Sequence, residues 1–291
     1  MTRTQFRNRI EAVIARIVFT IFQTMPVDIA SAIGGWFGRN LGYRLPVTRR
    51  ARRNLAMVYP AMGEGEREAL LLRMWDNLGR TAAEFAHLHR MRIGPGERIE
   101  VDGIEHVRAA QAVGKGIIFF SAHCANWEMF GPLAKSAGLT INLVYRAPNN
   151  PYLDWLFSER GKDVGTEMIP KGSVGARRVM QILLEKQVLG LLLDQKMNDG
   201  IPVPFFGRDA MTAPAVAQFA LKYGCPVVPA HVIRLKGARF RLVVEPPIDI
   251  APSSDRHGDI LRVMTEVNRI IEGWIRAHPD QWLWVHRRWP D

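Results

Sequence analysis

The segment 116–128, Gly-Ile-Ile-Phe-Phe-Ser-Ala-His-Cys-Ala-Asn-Trp-Glu, carries the residue types that most strongly indicate chemistry. An apolar run typical of a buried strand ends at Ser121, a loop holds His123, and Glu128 falls in the first turn of the next predicted helix. Five residues correspond to about 140° of rotation on a regular helix, so the two side chains can meet only across a loop–helix corner. There Glu128 can accept the imidazole N–H, fix its tautomer and make His123 a general base.

The same segment admits three other interpretations. A hydrolase could use Ser121 or Cys124 as a nucleophile with His123, but neither lies in a Gly-x-Ser-x-Gly elbow. His-x4-Glu lacks the His-Glu-x-x-His spacing of a zinc site, and no Cys or His cluster offers further ligands, so we expect no metal and no organic cofactor. In the third interpretation, His123 is a structural histidine at the end of a strand.

Two more polar residues end predicted strands. Arg146 follows the apolar segment 141–145, and Asp194 follows the apolar segment 188–193. Ligands of parallel sheets collect at the carboxyl ends of the strands, so both residues are candidates for substrate binding. Arg146 suits a phosphate group, whereas Asp194 either binds substrate or caps the following turn.

These residues are positioned by an alternation of strands and helices that begins near residue 100. Short apolar runs predict strands at 116–121, 141–146, 167–169, 188–194, 227–233 and 240–244. Helical patterns occur at 104–113, 126–137, 152–163, 174–186, 213–223 and 259–277. The alternation predicts an α/β fold with a mostly parallel central sheet flanked by helices, whose last two strands form an antiparallel hairpin.

Residues 1–90 are predicted to be helical, with helices at 6–25, 27–43 and 64–89, and to associate with a membrane, whereas residues 91–291 form the α/β domain. The first helix has one apolar face, made by Phe6, Ile10, Val13, Ile14, Ile17 and Ile21. Its most apolar part, 12–27, is interrupted by Arg16 and is shorter than the ~20 residues of a membrane span. This pattern favours an amphipathic helix in the membrane interface, with a single span and an ordinary core helix as alternatives.

Most of the positive charge lies in the same region. The formal net charge is +11, and residues 1–54 hold ten arginines against Glu11 and Asp28, a net charge of +8. A basic block predicts an anionic partner surface, either lipid headgroups or nucleic acid. The arginines at 49–53 favour the membrane, and no helix-turn-helix, zinc-finger or stacking motif indicates nucleic acid, so we expect no nucleic-acid partner.

The composition excludes several further classes. With 47% apolar and 23% charged residues, the chain is neither a disordered protein nor a many-span membrane protein. Two cysteines cannot form a disulfide scaffold, and their number fits a reducing compartment.

Taken together, the motifs resemble a known family. The segment His123–Glu128 is similar to the His-x4-Asp/Glu motif of glycerolipid-type acyltransferases. Other segments resemble the branch that contains the lauroyl and myristoyl transferases of lipid A biosynthesis. They are Val144-Tyr-Arg-Ala-Pro-Asn-Asn-Pro, Leu191-Leu-Leu-Asp-Gln, Pro204-Phe-Phe-Gly, Gly224-Cys-Pro-Val-Val-Pro and Gln281-Trp-Leu-Trp-Val-His-Arg-Arg-Trp. Their order and spacing match over roughly residues 5–290.

This resemblance implies transfer of a fatty acyl chain from acyl carrier protein to a hydroxyl of a membrane glycolipid, with a lipid A precursor as acceptor. It implies a location at the cytoplasmic face of the bacterial inner membrane, a His123–Glu128 dyad as general base, and direct attack without an acyl-enzyme. Arg160 matches an arginine of this branch by position and is expected to bind a phosphate of the acceptor or of the carrier's phosphopantetheine.

Two alternatives stay open. The same pattern covers phosphatidylinositol mannoside acyltransferases and related lysolipid acyltransferases. The basic N-terminal block is also compatible with a protein of a different class, one that binds anionic membranes without catalysis.

Overall fold

A seven-stranded sheet forms the centre of the protein, for which a computed structural model describes residues 2–156 and 167–289. Its strands are β1 (Ile99–Asp102), β2 (Ile117–Ser121), β3 (Ile141–Tyr145), β4 (Met168–Pro170), β5 (Val188–Leu192), β8 (Val227–Arg234) and β9 (Phe240–Val244). Their order in the sheet is β1-β9-β8-β2-β5-β3-β4. Neighbouring strands are parallel except β8 and β9, which form the antiparallel hairpin expected from the sequence. The predicted α/β fold with a mostly parallel sheet is confirmed.

Strand β2 lies between β8 and β5, and all five of its residues are buried. It reads as an unbroken apolar run because helices cover both faces of the sheet. In its parallel register with β5, Ser121 pairs with Leu192. The residues two positions beyond each strand, His123 and Asp194, therefore emerge side by side at the same edge of the sheet.

The helices agree with the sequence pattern at most positions. They are α1 (Arg3–Thr24), α2 (Val27–Asn40), α3 (Thr48–Val58), α4 (Glu64–Glu84), α5 (Ile104–Ala112), α6 (Phe130–Ser136), α7 (Ser173–Leu184), α8 (Ala215–Tyr223) and α9 (Arg256–Ala277). The helix predicted from 126 begins instead as a 3-10 turn, Trp127–Met129, because Asn126 caps it by accepting from the backbone N–H of Glu128. Much of the helix predicted at 152–163 lies outside the described residues.

Three strands and one helix were not predicted from the sequence. Strand β1 lies at one edge of the sheet, and β6 (Ile201–Phe205) and β7 (Arg208–Thr212) form a separate antiparallel hairpin. Helix α3 carries the arginine run at 49–53 that was interpreted as a membrane signal. In the structure one of these arginines, Arg52, forms a two-pronged ion pair with Glu68 of α4.

The main core crosses the predicted boundary at residue 90. Leu55 of α3 and Leu70, Leu71 and Met74 of α4 belong to the same buried cluster as Ile118 of β2. Helix α2 packs closely on α4. A Cβ added at Gly38 of α2 would lie only 1.9 Å from the carbonyl oxygen of Trp75 on α4. The division into 1–90 and 91–291 stays a prediction, but α3 and α4 share their core with the sheet.

Helix α1 differs from all of these, since none of its described side chains is buried. The apolar face predicted from the sequence is exposed to solvent, with Val13 at 58% and Ile17 at 53% of their full accessibility. Within the residues that the structure describes, no helix is long and apolar enough to cross a membrane.

Candidate active site

The centre of the site is a histidine held by a buried carboxylate. The Nδ1 atom of His123 lies 2.7 Å from Oδ1 of Asp194, and the backbone N–H of His123 donates to Oδ2 at 2.9 Å. The indole Nε1 of Trp282 donates to the same Oδ2 at 2.8 Å. These contacts favour the imidazole tautomer whose Nδ1 carries the proton, in which the lone pair of Nε2 can accept one.

Asp194 is fully buried yet ionised. Burial alone raises the pKa of its carboxyl, but the charge of His123 and the hydrogen bonds from it outweigh this effect and hold the pKa well below its ordinary value. A carboxylate of this kind stabilises an imidazolium, so His123 can take up a proton without losing its orientation.

The geometry corrects the expected partner of the histidine. The sequence analysis assigned the imidazole N–H to Glu128, whereas the structure places Asp194, expected to bind substrate or cap a turn, at that nitrogen. The loop–helix corner has the predicted form, with Glu128 in the first turn after the loop and lining the same cavity as His123. Asp194 therefore takes the orienting position, and Glu128 lies on the cavity wall.

Two further residues surround the other side of the imidazole. The amide nitrogen of Gln195 lies 3.3 Å from Nε2 of His123 and 3.5 Å from Nε2 of His286. The two imidazole rings are 4.9 Å apart between centroids. Burial, followed by the positive charge of His123, lowers the pKa of His286 to about 4. At neutral pH His286 is thus an uncharged neighbour that does not repel an incoming proton on His123.

A cavity of about 290 Å³ opens beside His123. Its walls are mainly apolar and include Phe119, Phe130, Ile141, Leu143 and Leu191. Gly190 leaves room for this space, because a Cβ there would lie 2.6 Å from Cδ2 of Leu143 and 2.9 Å from Cδ1 of Ile141. An apolar cavity beside a histidine that can accept a proton suits a long aliphatic substrate whose reactive group lies at the imidazole.

The rim of the cavity is polar. Arg146 and Lys171 line it and are exposed, so Arg146 lies where the sequence analysis placed a phosphate contact. Arg160 lies outside the described residues. Two cations at the mouth of an apolar cavity favour a substrate that combines an aliphatic chain with anionic groups.

Nucleophilic thiol or hydroxyl chemistry finds little support at this site. Cys124 is buried, and burial together with the nearby charge of Asp194 raises the pKa of its thiol well above the ordinary value. A reactive cysteine requires the opposite shift. The Ser121 hydroxyl is buried and lies 3.5 Å from the carbonyl oxygen of Ala122.

Three potential metal ligands also meet here, since His123, Asp194 and His286 offer atoms within 4.8 Å of one another. Both carboxylate oxygens of Asp194 already accept hydrogen bonds, Oδ1 from the imidazole and Oδ2 from the His123 backbone N–H and the Trp282 indole. The donors that surround Asp194 thus organise a hydrogen-bonded triad, and the expectation that no metal takes part stays a prediction.

The C-terminal segment contributes more than the sequence analysis assigned to it. Trp282, Trp284 and Trp289 are all buried, and Trp282 also donates a hydrogen bond to the carboxylate of Asp194. His286 was quoted only as part of a motif. Two signals for these site residues were present in the sequence: the polar pair Asp194-Gln195 at a strand end, and His286 in a tryptophan-rich segment. The spacing of the two segments along the chain did not indicate that they meet.

These features define an α/β protein in which a histidine held by a buried carboxylate lines an apolar cavity with a cationic rim. Comparison with known proteins specifies the class. The lipid A biosynthesis lauroyltransferase of Escherichia coli K12 is 27% identical over 280 residues, which cover 91% of this chain and 86% of that protein. A phosphatidylinositol mannoside acyltransferase of Mycobacterium tuberculosis is 25% identical over 247 residues, covering 82% and 76%.

Among solved structures, the 1-acyl-sn-glycerophosphate acyltransferase of Thermotoga maritima aligns over 98% of this chain and all of that one, with a TM-score of 0.38 and 13% identity, which is too distant to carry an argument. The model of the bacterial lipid A biosynthesis acyltransferase family matches residues 3–291. The chain belongs to this family, and the protein is an acyltransferase.

Proposed function

We propose that the protein transfers a fatty acyl chain from acyl carrier protein to a hydroxyl of a lipid A precursor. The observation that supports this most directly is the position of His123, which lines a mainly apolar cavity while Asp194 holds its Nδ1. Names of relatives, among them a lauroyltransferase of lipid A biosynthesis, supply the acceptor.

In the proposed reaction, Nε2 of His123 removes the proton of the acceptor hydroxyl as its oxygen attacks the thioester carbonyl carbon. The carbonyl π-electrons move to oxygen, and the tetrahedral intermediate then collapses, breaks the carbon–sulfur bond and releases a thiolate. The thiolate takes the proton back from the imidazolium, so base and charge are restored. General-base assistance of this type contributes about 10²–10⁴ in rate.

Three neighbours are given separate roles. Asp194 stabilises the imidazolium, because its carboxylate is buried against Nδ1. Gln195 is placed to donate its amide N–H to the developing oxyanion, since that nitrogen lies 3.3 Å from Nε2. Glu128, on the cavity wall, positions the acceptor hydroxyl; this role replaces the His123–Glu128 hydrogen bond in the dyad inferred from the sequence.

The apolar cavity is assigned to the acyl chain. The cavity has a volume of about 290 Å³, and the proposed chain extends from the thioester past Gly190. Arg146 and Lys171 at the rim bind phosphate of the acceptor or of the carrier's prosthetic group, and Arg160 is assigned to the same task.

The surface of α1 and α2 is assigned to the cytoplasmic face of the inner membrane, without a span. Apolar side chains of α1 are exposed, and Trp36 and Phe37 of α2 are also half exposed. An exposed apolar face with arginines beside it suits the interface of a bilayer that contains anionic lipid. Peripheral attachment of this kind brings the cavity to lipid acceptors in the same membrane.

A second acceptor deserves a direct test. The similarity to phosphatidylinositol mannoside acyltransferases extends over 82% of this chain, so a mannoside glycolipid or another lysolipid fits the same chemistry. The catalytic step is unchanged in that case, and only the headgroup contacts at the rim differ.

The deciding experiment is mass spectrometry of lipids after incubation of the purified protein with membranes and mixed acyl–carrier-protein donors, beside matched acyl–coenzyme A donors. The His123→Ala variant removes the base, and His257→Ala removes an exposed histidine at the start of α9 as a matched control. We expect one acyl increment on a lipid A precursor in the wild type and the control, and none in His123→Ala.

Other results change the conclusion in defined ways. An increment on a mannoside or phospholipid keeps the chemistry and replaces the acceptor. Transfer only from coenzyme A replaces the donor. No transfer to any lipid, combined with retained binding to anionic vesicles, would support the non-catalytic membrane-binding class instead.

A further inference from the structure

A cluster of buried polar residues lies between α4 and β8, outside the cavity. At its centre is Glu84, which is fully buried, and Arg234, whose side chain is 8% exposed. The guanidinium donates to both carboxylate oxygens, from Nη1 to Oε1 at 2.5 Å and from Nη2 to Oε2 at 3.0 Å. We call these two residues and their partners Ser31, Asn77, Thr81 and Asn126 the Glu84 cluster.

A buried ion pair of this kind is seldom explained by stability. The loss of hydration of two charges commonly exceeds their attraction, and well-packed apolar replacements are often equally stable. Such a pair is therefore better explained by the groups that it orients. Glu84 accepts two further hydrogen bonds, from Asn126 Nδ2 at 2.8 Å and from Ser31 Oγ at 2.7 Å.

One of these contacts leads directly to the active-site turn. Asn126 is fully buried, and while its amide nitrogen binds Glu84, its Oδ1 accepts the backbone N–H of Glu128 at 3.2 Å. The carboxylate of Glu84 thereby selects the amide orientation that presents oxygen to Glu128. Two consecutive hydrogen bonds, through Asn126, join the ion pair to the end of the His-x4-Glu motif.

A second connection reaches the middle of the turn. The carbonyl oxygen of Ala125 accepts from Thr81 Oγ1 at 3.0 Å and from Asn77 Nδ2 at 3.2 Å. Arg234 in turn donates from Nε to Asn77 Oδ1 at 2.7 Å and from Nη2 to Thr81 Oγ1 at 3.1 Å. Asn77 and Thr81, which both donate to the Ala125 carbonyl, thus also accept hydrogen bonds from the Arg234 guanidinium.

Ala125 needs this support because its backbone is left-handed, with φ at +49°. A residue with a Cβ rarely adopts that conformation, which persists only where surrounding contacts impose it. The backbone changes direction at Ala125, between His123 and Glu128, and this turn sets the distance between their side chains.

We propose that Glu84 and Arg234 are positioning residues that hold the turn at 124–126, and through it His123 and Glu128, in the geometry needed for catalysis. This inference rests on the proposed function in naming His123 as the base, but the structural link from the ion pair to the turn is independent of the acceptor. Asn126 is the residue through which Glu84 acts. A misplacement of about 1 Å at a reacting group can reduce a rate about 100-fold.

The test uses variants that separate folding from positioning. Glu84→Leu with Arg234→Met replaces the ion pair by apolar side chains, so the fold is retained while Asn126 loses its acceptor. Asn126→Ala removes the link to the turn. Ser31→Ala is the matched control, because Ser31 is equally buried and binds the same carboxylate but does not lead to the turn.

Two measurements are made on each variant: kcat and KM for the acyl donor, and amide hydrogen exchange across 124–128, with the melting temperature recorded. We expect kcat to fall about 100-fold in the double variant and in Asn126→Ala, with KM nearly unchanged and with faster exchange of the turn amides. Ser31→Ala should keep both kcat and exchange close to the wild type.

The outcomes separate this inference from the proposed function. If the double variant folds and retains both wild-type kcat and wild-type exchange at 124–128, the positioning role is overturned. If Ser31→Ala reproduces the losses, the cluster acts through general stability and the inference fails. If the wild type transfers no acyl group from any donor, the proposed function fails, and the exchange data still decide whether the cluster holds the turn.

Discussion

In globular proteins charged side chains are usually exposed and large apolar ones are usually buried. The carboxyl edge of the sheet departs from the first rule, and the outer surface of α1 departs from the second. At the sheet edge, Asp194 is charged and fully buried. On α1, Val13 and Ile17 are apolar and more than half exposed. Neither arrangement favours the stability of an isolated globular protein. The proposed function explains the first by a reacting proton and the second by a lipid surface.

The two regions also differ in how their residues are supported. Each polar group around His123 is held by a second group, as Trp282 and the His123 backbone hold Asp194. The apolar face of α1 has few such contacts, because none of the helix's described side chains is buried. Changes at the sheet edge should therefore alter chemistry without altering lipid binding, and changes on α1 should do the reverse.

The largest effect is expected from Asp194→Asn. An amide of the same shape cannot stabilise the imidazolium and favours the wrong tautomer, so kcat should fall about 10³–10⁴-fold with little change in KM. Steady-state kinetics with a defined acyl donor measure this, and Glu128→Gln serves as the comparison. A larger kcat loss in Glu128→Gln than in Asp194→Asn would return the orienting role to Glu128.

The next effect concerns acid stability at the sheet edge. Folding holds His286 neutral down to a pKa of about 4, whereas an unfolded histidine takes up a proton near pH 6.5. The contribution of this lowered pKa to the free energy of unfolding is therefore present above pH 6.5 and is lost as the pH falls towards 4. This contribution amounts to at most about 3 kcal/mol. In His286→Gln, the decrease in unfolding free energy between pH 7 and pH 4.5 should shrink by up to this amount.

Urea unfolding at the two pH values checks the acid effect, and the comparison of regions supplies a control. Helix α1 contains no histidine, so substitutions on its apolar face should leave the pH dependence unchanged. Equal acid sensitivity of His286→Gln and the wild type would show that the pKa of His286 is the same in the folded and the unfolded protein, contrary to its lowered value.

A smaller effect is expected on the exposed apolar face of α1 from the double change Val13→Ser and Ile17→Ser. Since each side chain is about half exposed, each should lose roughly 1 kcal/mol of bilayer burial, which weakens vesicle binding about 30-fold in total. Co-sedimentation with vesicles that contain anionic phosphatidylglycerol measures binding. Val174→Ser, at a residue 74% exposed on α7, is the matched control and should bind as the wild type does.

Loss of activity of the α1 double variant on a detergent-dispersed acceptor would contradict the prediction that α1 serves lipid binding and not chemistry. We expect its kcat there to equal that of the wild type, because α1 contributes no residue to the cavity wall. Unchanged vesicle binding would instead remove α1 from the membrane contact.

The smallest effect is expected from Gly190→Ala. The added methyl group would lie 2.6 Å from Leu143 Cδ2, so the end of that side chain must shift and the cavity becomes smaller. About one methylene less of chain should fit, and the ratio of longer to shorter acyl products should fall about tenfold. Mass spectrometry of products from a mixed donor pool measures the ratio. An unchanged ratio would place the acyl chain elsewhere.

Much of the fold could be predicted because its signals are local. Strands β2, β3, β5, β8 and β9 are short apolar runs between helical patterns, and all were placed within a few residues. Helix α3 was missed because arginines dominate its sequence, although Ala51 and Leu55 on one side of it are fully buried. Hairpin β6–β7 was missed because Pro202 and Pro204 lower the strand propensity of β6.

The candidate site divides in the same way. His123 and Glu128 were recognised because they lie in one short segment at the end of an apolar run. The hydrogen bond between His123 and Asp194 joins residues 71 positions apart in the chain. It depends on the register in which Ser121 pairs with Leu192, and a local pattern does not encode a register between distant strands.

The sequence by itself thus determined the α/β alternation, the histidine at the strand end, the apolar face of α1 and the resemblance to a family. Only the tertiary structure decided that Asp194 contacts Nδ1 of His123, that His286 and Trp282 lie at the same site, and that Thr81 of α4 donates to the Ala125 carbonyl. The physical reason is the separation along the chain of the residues that carry each signal. Hydrophobic periodicity is written along neighbouring residues, whereas hydrogen bonds between buried polar groups depend on how separate elements pack against one another.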